Sequence, residues 1–183
     1  MAYKDKTIHN PKVGQTIRFL QTYKDTNGAL LEMEAQYDPQ SKEPAPHYHP
    51  HQAEDFTIVS GSMTVRIDGA LRVLQAGDTL HIPRGKVHSM WNNSDAPATV
   101  NWKVHPAMET EYFLETVIGL AIDGKTDAKG TPHLLQVALM ANRYAPVFRL
   151  AKPPFVVQKI LFVLLTPLAY LLGYRASYQR YID

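Results

Sequence analysis

Between residues 16 and 104 apolar and polar side chains alternate in short runs. Leu31, Met33, Ala35 and Tyr37 alternate with Glu32, Glu34 and Gln36, the period of two expected of a strand with one buried face. Met63, Val65 and Ile67 repeat the pattern against Thr64, Arg66 and Asp68, and Val100, Trp102 and Val104 repeat it against Asn101 and Lys103. Gly61, the Asp68-Gly69 pair, Gly77-Asp78 and the group Pro83-Arg84-Gly85 punctuate these runs with residues suited to tight turns. Many short strands at this spacing predict an antiparallel sandwich or barrel. After about residue 107 the period lengthens. Tyr112, Phe113, Thr116, Val117, Leu120 and Ala121 fall at spacings of three and four and predict a helix over 109–122 that stops at Gly124. Thr131-Pro132 reads as an N-cap and first helical residue for a second helix over 134–144. A third apolar stretch runs over 155–174, with Pro167 inside it.

The length of 183 residues suits one domain with an appendage. The pattern therefore divides the chain into an all-β core over 1–107 and a C-terminal α-helical extension over 108–183. With 45% apolar and 20% charged residues, disorder is excluded. The net charge of +2 hides an asymmetry, because 1–107 is balanced while 129–183 carries seven basic side chains and one acid. The first residues lack an apolar secretory segment, so a cytoplasmic location is expected. No helix-turn-helix or basic recognition helix is visible, and no nucleic-acid partner is expected.

The chain has no cysteine and eight histidines, so any metal must be held by nitrogen and oxygen donors. On a strand, His47 and His49 point to the same face, within reach of one ion. Glu54 enters the next strand as a carboxylate donor, and His88 follows the turn at 83–85 as a third imidazole. His51 competes with His49 for the same role on residue type alone. Three imidazoles and a carboxylate suit a divalent transition metal: Fe, Mn, Co, Ni, Cu or Zn. His9, His105 and His133 are expected to be ordinary core or surface residues, and His81 a hydrogen-bonded strand residue.

At these positions the chain resembles the cupin superfamily. The first cupin motif, G-x5-HxH-x3-4-E-x6-G, is met by His47, His49, Glu54 and Gly61, with Ser41 where the leading glycine would stand. The second, G-x5-PxG-x2-H-x3-N, is met by Gly77, Pro83, Gly85, His88 and Asn92. The similarity covers about 30–105. It implies a cupin-type antiparallel jelly-roll β-barrel, and it assigns the metal to His47, His49, Glu54 and His88 in preference to His51.

Glu54 is also the candidate catalytic base if it leaves the metal. Strand alternation puts Phe56, Met63, Val65, Met90 and Asn92 on the ligand face, a largely apolar lining for a small-molecule ligand. The expected function is that of a metal-dependent enzyme, dioxygenase-like, acting on a small hydrophobic or aromatic molecule. A non-catalytic binding or sensory cupin and a metal-dependent isomerase or lyase are the alternatives. A homodimer is expected. The stretch 155–174 is read as a pair of short helices buried on the barrel or in a dimer interface, with peripheral membrane contact as the alternative because basic residues flank it.

Overall fold

The computed structural model describes residues 2–182. Ten strands precede residue 107: β1 (Thr7–Asn10), β2 (Gln15–Gln21), β3 (Leu31–Tyr37), β4 (His47–Tyr48), β5 (Ala53–Ser60), β6 (Ser62–Ile67), β7 (Ala70–Gln75), β8 (Thr79–Ile82), β9 (His88–Trp91) and β10 (Ala98–His105). They are followed by α1 (Thr110–Ile122), α2 (Leu134–Arg143), a short β11 (Arg149–Leu150), α3 (Phe155–Leu171) and α4 (Gln179–Ile182). Two antiparallel sheets face each other, one ordered β1-β2-β3-β10-β5-β8 and the other β11-β4-β9-β6-β7. The arrangement is jelly-roll-like, although the sheets do not close into one continuous hydrogen-bonded barrel. The alternating positions behave as their period requires: Met33, Ala35, Ile58, Met63, Val65 and Val100 are buried between the sheets.

Two turns show why the sequence folds this way. β6 and β7 are joined by two residues, Asp68 and Gly69, with φ of 47° and 89°. A two-residue turn with both φ positive matches the right-handed twist of a hairpin, and Asp-Gly adopts it at low cost. Gly61, at φ 73°, joins β5 to β6 where a Cβ would run into the backbone of Pro97 and Ala98. Only glycine meets both demands there.

The region beyond 107 is more than a bundle of helices. β11 pairs with β4 in the register Arg149↔Tyr48 and Leu150↔His47, supplying partners to a strand edge that would otherwise present bare N–H and C=O groups. Buried Gln52 brings its side-chain amide within hydrogen-bond distance of Pro106 O, Ala107 O and Thr110 Oγ1, which fixes the entry into α1. A Cβ on Gly119 would collide with the ring of Tyr181, so α4 lies directly on α1 at this glycine.

The helices differ from expectation in two respects. The N-cap of α2 is His133 rather than Thr131; its ring accepts a hydrogen bond from Leu135 N–H. The apolar stretch is a single helix with Pro167 inside it, and most of it is exposed: only Gln158, Phe162 and Ala169 are buried. Burial against the barrel is thus corrected. Pro167 is itself exposed, so its ring faces away from the protein. Among the described residues no helix is long and apolar enough to cross a membrane.

Candidate metal centre

The two sheets meet at the motif residues. His47 on β4 is the register partner of His88 on β9, and Glu54 reaches them from β5 in the facing sheet. His49 follows β4, and its carbonyl accepts a hydrogen bond of 2.8 Å from Gly85 N–H. The glycine of the 83–85 turn thereby anchors the backbone of a ligand candidate from the first motif. Ser41, standing where the motif has glycine, is buried, and its Oγ accepts from Asn92 N–H at 2.8 Å. The departure from the motif has become a further tie between its two halves.

Ring nitrogens that can donate to one ion from His47, His49 and His88 lie within 4.8 Å of one another. In each ring Nδ1 faces a backbone carbonyl: Ala45 O at 2.9 Å for His47, Val147 O at 2.7 Å for His49 and Lys86 O at 3.0 Å for His88. A carbonyl can only accept, so each Nδ1 carries the proton and each Nε2 of a neutral ring presents a lone pair. Glu54 Oε2 lies 3.3 Å from His49 Nε2 and 2.9 Å from His88 Nε2. The other carboxylate oxygen, Oε1, accepts from Trp102 Nε1–H at 3.0 Å.

Glu54 is 1% exposed. Two buried atoms facing the cluster, His49 Nε2 and Glu54 Oε2, have no well-directed hydrogen-bond partner. Close nitrogen and oxygen atoms without directed bonds leave their lone pairs aimed at the space between them, the arrangement a cation satisfies. Burial and the neighbouring imidazoles of His88 and His49 push His47 down to about 3, so its ring is neutral and able to donate. Burial alone would raise Glu54, yet the His49 and His88 imidazoles hold it below the usual carboxylate range. For His88 burial works downward, and the adjacent Glu54 carboxylate outweighs it and raises the group. The donor set thus fits a divalent transition metal, with three borderline nitrogen donors and one ionised oxygen donor.

The helical region shapes this site. The His47 ring stacks on Phe148 with centroids 4.6 Å apart and planes at 26°. Phe148 stacks in turn on Phe113 of α1 at 4.7 Å and 27°. Beside them a cavity of about 520 Å³ is bounded by His47, Phe113, Met140, Phe148, Phe155 and Phe162. Its size suits a small organic molecule.

The expected lining differs from this one. Phe56, Met63, Val65 and Met90 are buried in the core between the sheets, and none of them borders the cavity. Alternation places them inward, but on the filled side of the sandwich. Asn92 is corrected as a polar anchor: its amide donates to Ala96 O at 2.7 Å and Asp38 O at 3.1 Å, while its Oδ1 accepts from Ser94 N–H and Oγ–H. Those bonds use its capacity to hold a loop. His51 is exposed. His81 and His105 flank Asp55 at 2.7 and 3.2 Å on the outer surface, and His9 pairs with Thr16.

Sequence reasoning missed Val147 and Phe148. They lie in the turn just before β11, where no period exists to read, and neither side chain is a metal donor; the one available signal was Tyr144, Phe148 and Phe155 spaced through a basic segment.

A model described as "Cupin domain" matches residues 33–103. Quercetin 2,3-dioxygenase of Bacillus subtilis (strain 168) is 33% identical over 75 residues, covering 41% of this chain and 22% of that protein. Tetracenomycin polyketide synthase protein TcmJ of Streptomyces glaucescens is 32% identical over 60 residues, covering 33% of this chain and 40% of that protein. The chain therefore spans less than half the length of these relatives. A solved RmlC-like cupin from Shewanella frigidimarina superposes with a TM-score of 0.49 at 22% identity, over 61% of this chain and 94% of that one. The cupin-domain match runs through both histidine motifs and the two sheets carry those motifs to one centre, so residues 33–103 form a cupin domain.

Proposed function

We propose that this chain is a metal-dependent, dioxygenase-like enzyme. It holds one divalent transition metal on Nε2 of His47, His49 and His88 and on Oε2 of Glu54, and acts on a small hydrophobic or aromatic molecule seated in the cavity under the helices. The observation that carries the reading is the fixed tautomer of all three rings: each Nδ1–H is spent on a backbone carbonyl, so the remaining nitrogens converge as lone pairs. The bound metal would supply Lewis-acid polarisation of a substrate oxygen and a centre for dioxygen chemistry.

The chain's own residues supply the rest. Trp102 holds the Glu54 carboxylate by Oε1, leaving Oε2 to bind the ion or, released from it, to take a proton from a bound substrate. Phe148 and Phe113 extend the His47 ring into a stacked column, an apolar wall beside which a flat aromatic molecule gains contact area and from which water is excluded. One relative is named a quercetin 2,3-dioxygenase, and its name makes a polyphenol the first substrate to try.

The test is elemental analysis of the purified protein followed by oxygen uptake with quercetin and small diketones. Stoichiometric Fe, Mn, Co, Ni or Cu with substrate-dependent oxygen consumption supports the proposal. Metal-free protein that takes up none of these ions overturns the metal reading, and a loaded protein that binds aromatic molecules without consuming oxygen overturns the oxygenase reading.

A further inference from the structure

α3 is apolar on its outer face as well as on its inner one. At 3.6 residues per turn, Val156, Val157, Ile160, Leu161, Val163, Leu164, Pro167, Leu168, Tyr170 and Leu171 share one arc of about 200°, and all of them are exposed. Leu164 is 72% and Leu171 83% exposed. The opposite arc faces the protein and mixes apolar Phe155, Phe162, Leu165 and Ala169 with two polar side chains. Gln158 is buried and donates to Leu150 O, and Thr166 donates to Phe162 O and accepts from Asn142 Nδ2–H. A helix on the surface of a water-soluble domain normally turns charged and polar residues outward. A contiguous apolar face about 25 Å long, at 1.5 Å per residue, calls for an apolar partner.

The charges around the face select the partner. Arg149 lies over the ring of Phe155 at 3.7 Å, and Arg175 over the ring of Tyr170 at 5.9 Å. Lys152 precedes the helix and Lys159 sits at the edge of its apolar arc, both exposed. From residue 128 to 182 the sequence contains no Asp or Glu. Among the described residues no carboxylate forms an ion pair with any of these four cations, whereas Arg143 and Arg180 are paired with Glu109 and Asp123. A second copy meeting this face about a two-fold axis would bring the same cations against themselves.

We infer that α3 seats the protein on an anionic lipid surface, its exposed arc sunk to the boundary of headgroups and acyl chains and its cations against the lipid phosphates and carboxylates. Tyr170 and Tyr174 stand at the end of the helix, where an amphipathic ring is at home in an interface. The inference does not depend on the metal or on any reaction.

The test is sedimentation of the full chain with vesicles of phosphatidylcholine and phosphatidylserine at about 7:3, beside vesicles of phosphatidylcholine alone. The wild type is expected to pellet with the anionic vesicles, to pellet much less with the neutral ones, and to be released by salt. Leu164→Gln combined with Leu171→Gln should weaken the partition coefficient by at least about tenfold, and Lys152→Gln or Arg175→Gln by about fivefold each. All four positions are exposed, so circular dichroism should be unchanged. Folded wild-type protein that stays in solution with anionic vesicles overturns the inference, as does binding that the double leucine variant retains. A dimer in buffer that the same leucine variant converts to monomer also overturns it, by giving the face to a second copy.

Discussion

The residues before 107 and those after it serve the same centre by different physics. The first region supplies every candidate donor: His47, His49, His88 and Glu54 come from strands and a turn whose order follows from alternation, with apolar side chains inward and charges in balance. The second region supplies no donor. It contributes the Val147 carbonyl that orients His49, the Phe148 ring that braces His47, and the wall of the cavity. Donors decide which ion can be held, and orientation decides how ready the site is to hold it. In this chain the two tasks belong to sequence stretches about 100 residues apart.

Variants can separate the two tasks. The largest effect is expected from His88→Ala, which removes a donor: metal affinity should fall by more than about 100-fold, beyond what loss of an orienting group costs, as read by elemental analysis after dialysis. Phe148→Ala and Trp102→Phe remove one orienting contact from each region, and each should lower metal affinity by about tenfold while keeping the stoichiometry. A Phe148→Ala protein with wild-type affinity in a competition titration would reduce the second region to a cover. If instead it loses metal as completely as His88→Ala, the division between donor and orienter fails.

Glu111, on α1, tests the packing of the two regions on each other. Burial raises this carboxyl above its ordinary value, Glu115 and Asp25 add to the rise, and the bond from Tyr23 N–H opposes it. A folded value above the unfolded one means that Glu111 favours the fold most at low pH, and that this contribution is lost as pH rises through the folded value. Glu111→Gln, which keeps an acceptor for Tyr23, should therefore raise the Tm near neutrality, with the gain vanishing below the carboxylate range. A gain that grows on acidification would contradict the sign. The smallest effect belongs to Gly69→Ala in the first region. Nothing lies near the added methyl, so only the positive φ opposes it, at about 1 kcal/mol by chemical denaturation.

Much of the first region could be read before any coordinates. Period-two runs such as Leu31 to Tyr37 leave few alternatives once one face is buried, and the paired motifs name donors because their spacing is set by strand geometry. The lining could not be read in the same way. Alternation tells which residues point inward but not which part of the interior is filled, and Phe56, Met63, Val65 and Met90 point inward into the packed core rather than along the cavity. Asn92 shows a second limit: a polar side chain aimed inward serves a loop as readily as a ligand. For α3, apolar composition suggested burial, whereas its orientation was written in Gln158 and Thr166, eight residues apart on one face.

The pairing of β11 with β4 also has a consequence in time. His47 and His49 reach their last partners only when Phe148 and Val147 are in place, 98 residues after His49. Contacts that distant close late, because the intervening chain must first be ordered. At synthesis rates of roughly 5–20 residues per second, a nascent chain would carry its full donor set for several seconds before those rings acquire their final posture. High-affinity capture of the ion should therefore mark a finished molecule. In refolding experiments metal uptake should lag behind the signal of sheet formation, and a Phe148→Ala chain should shorten that lag as it weakens the binding.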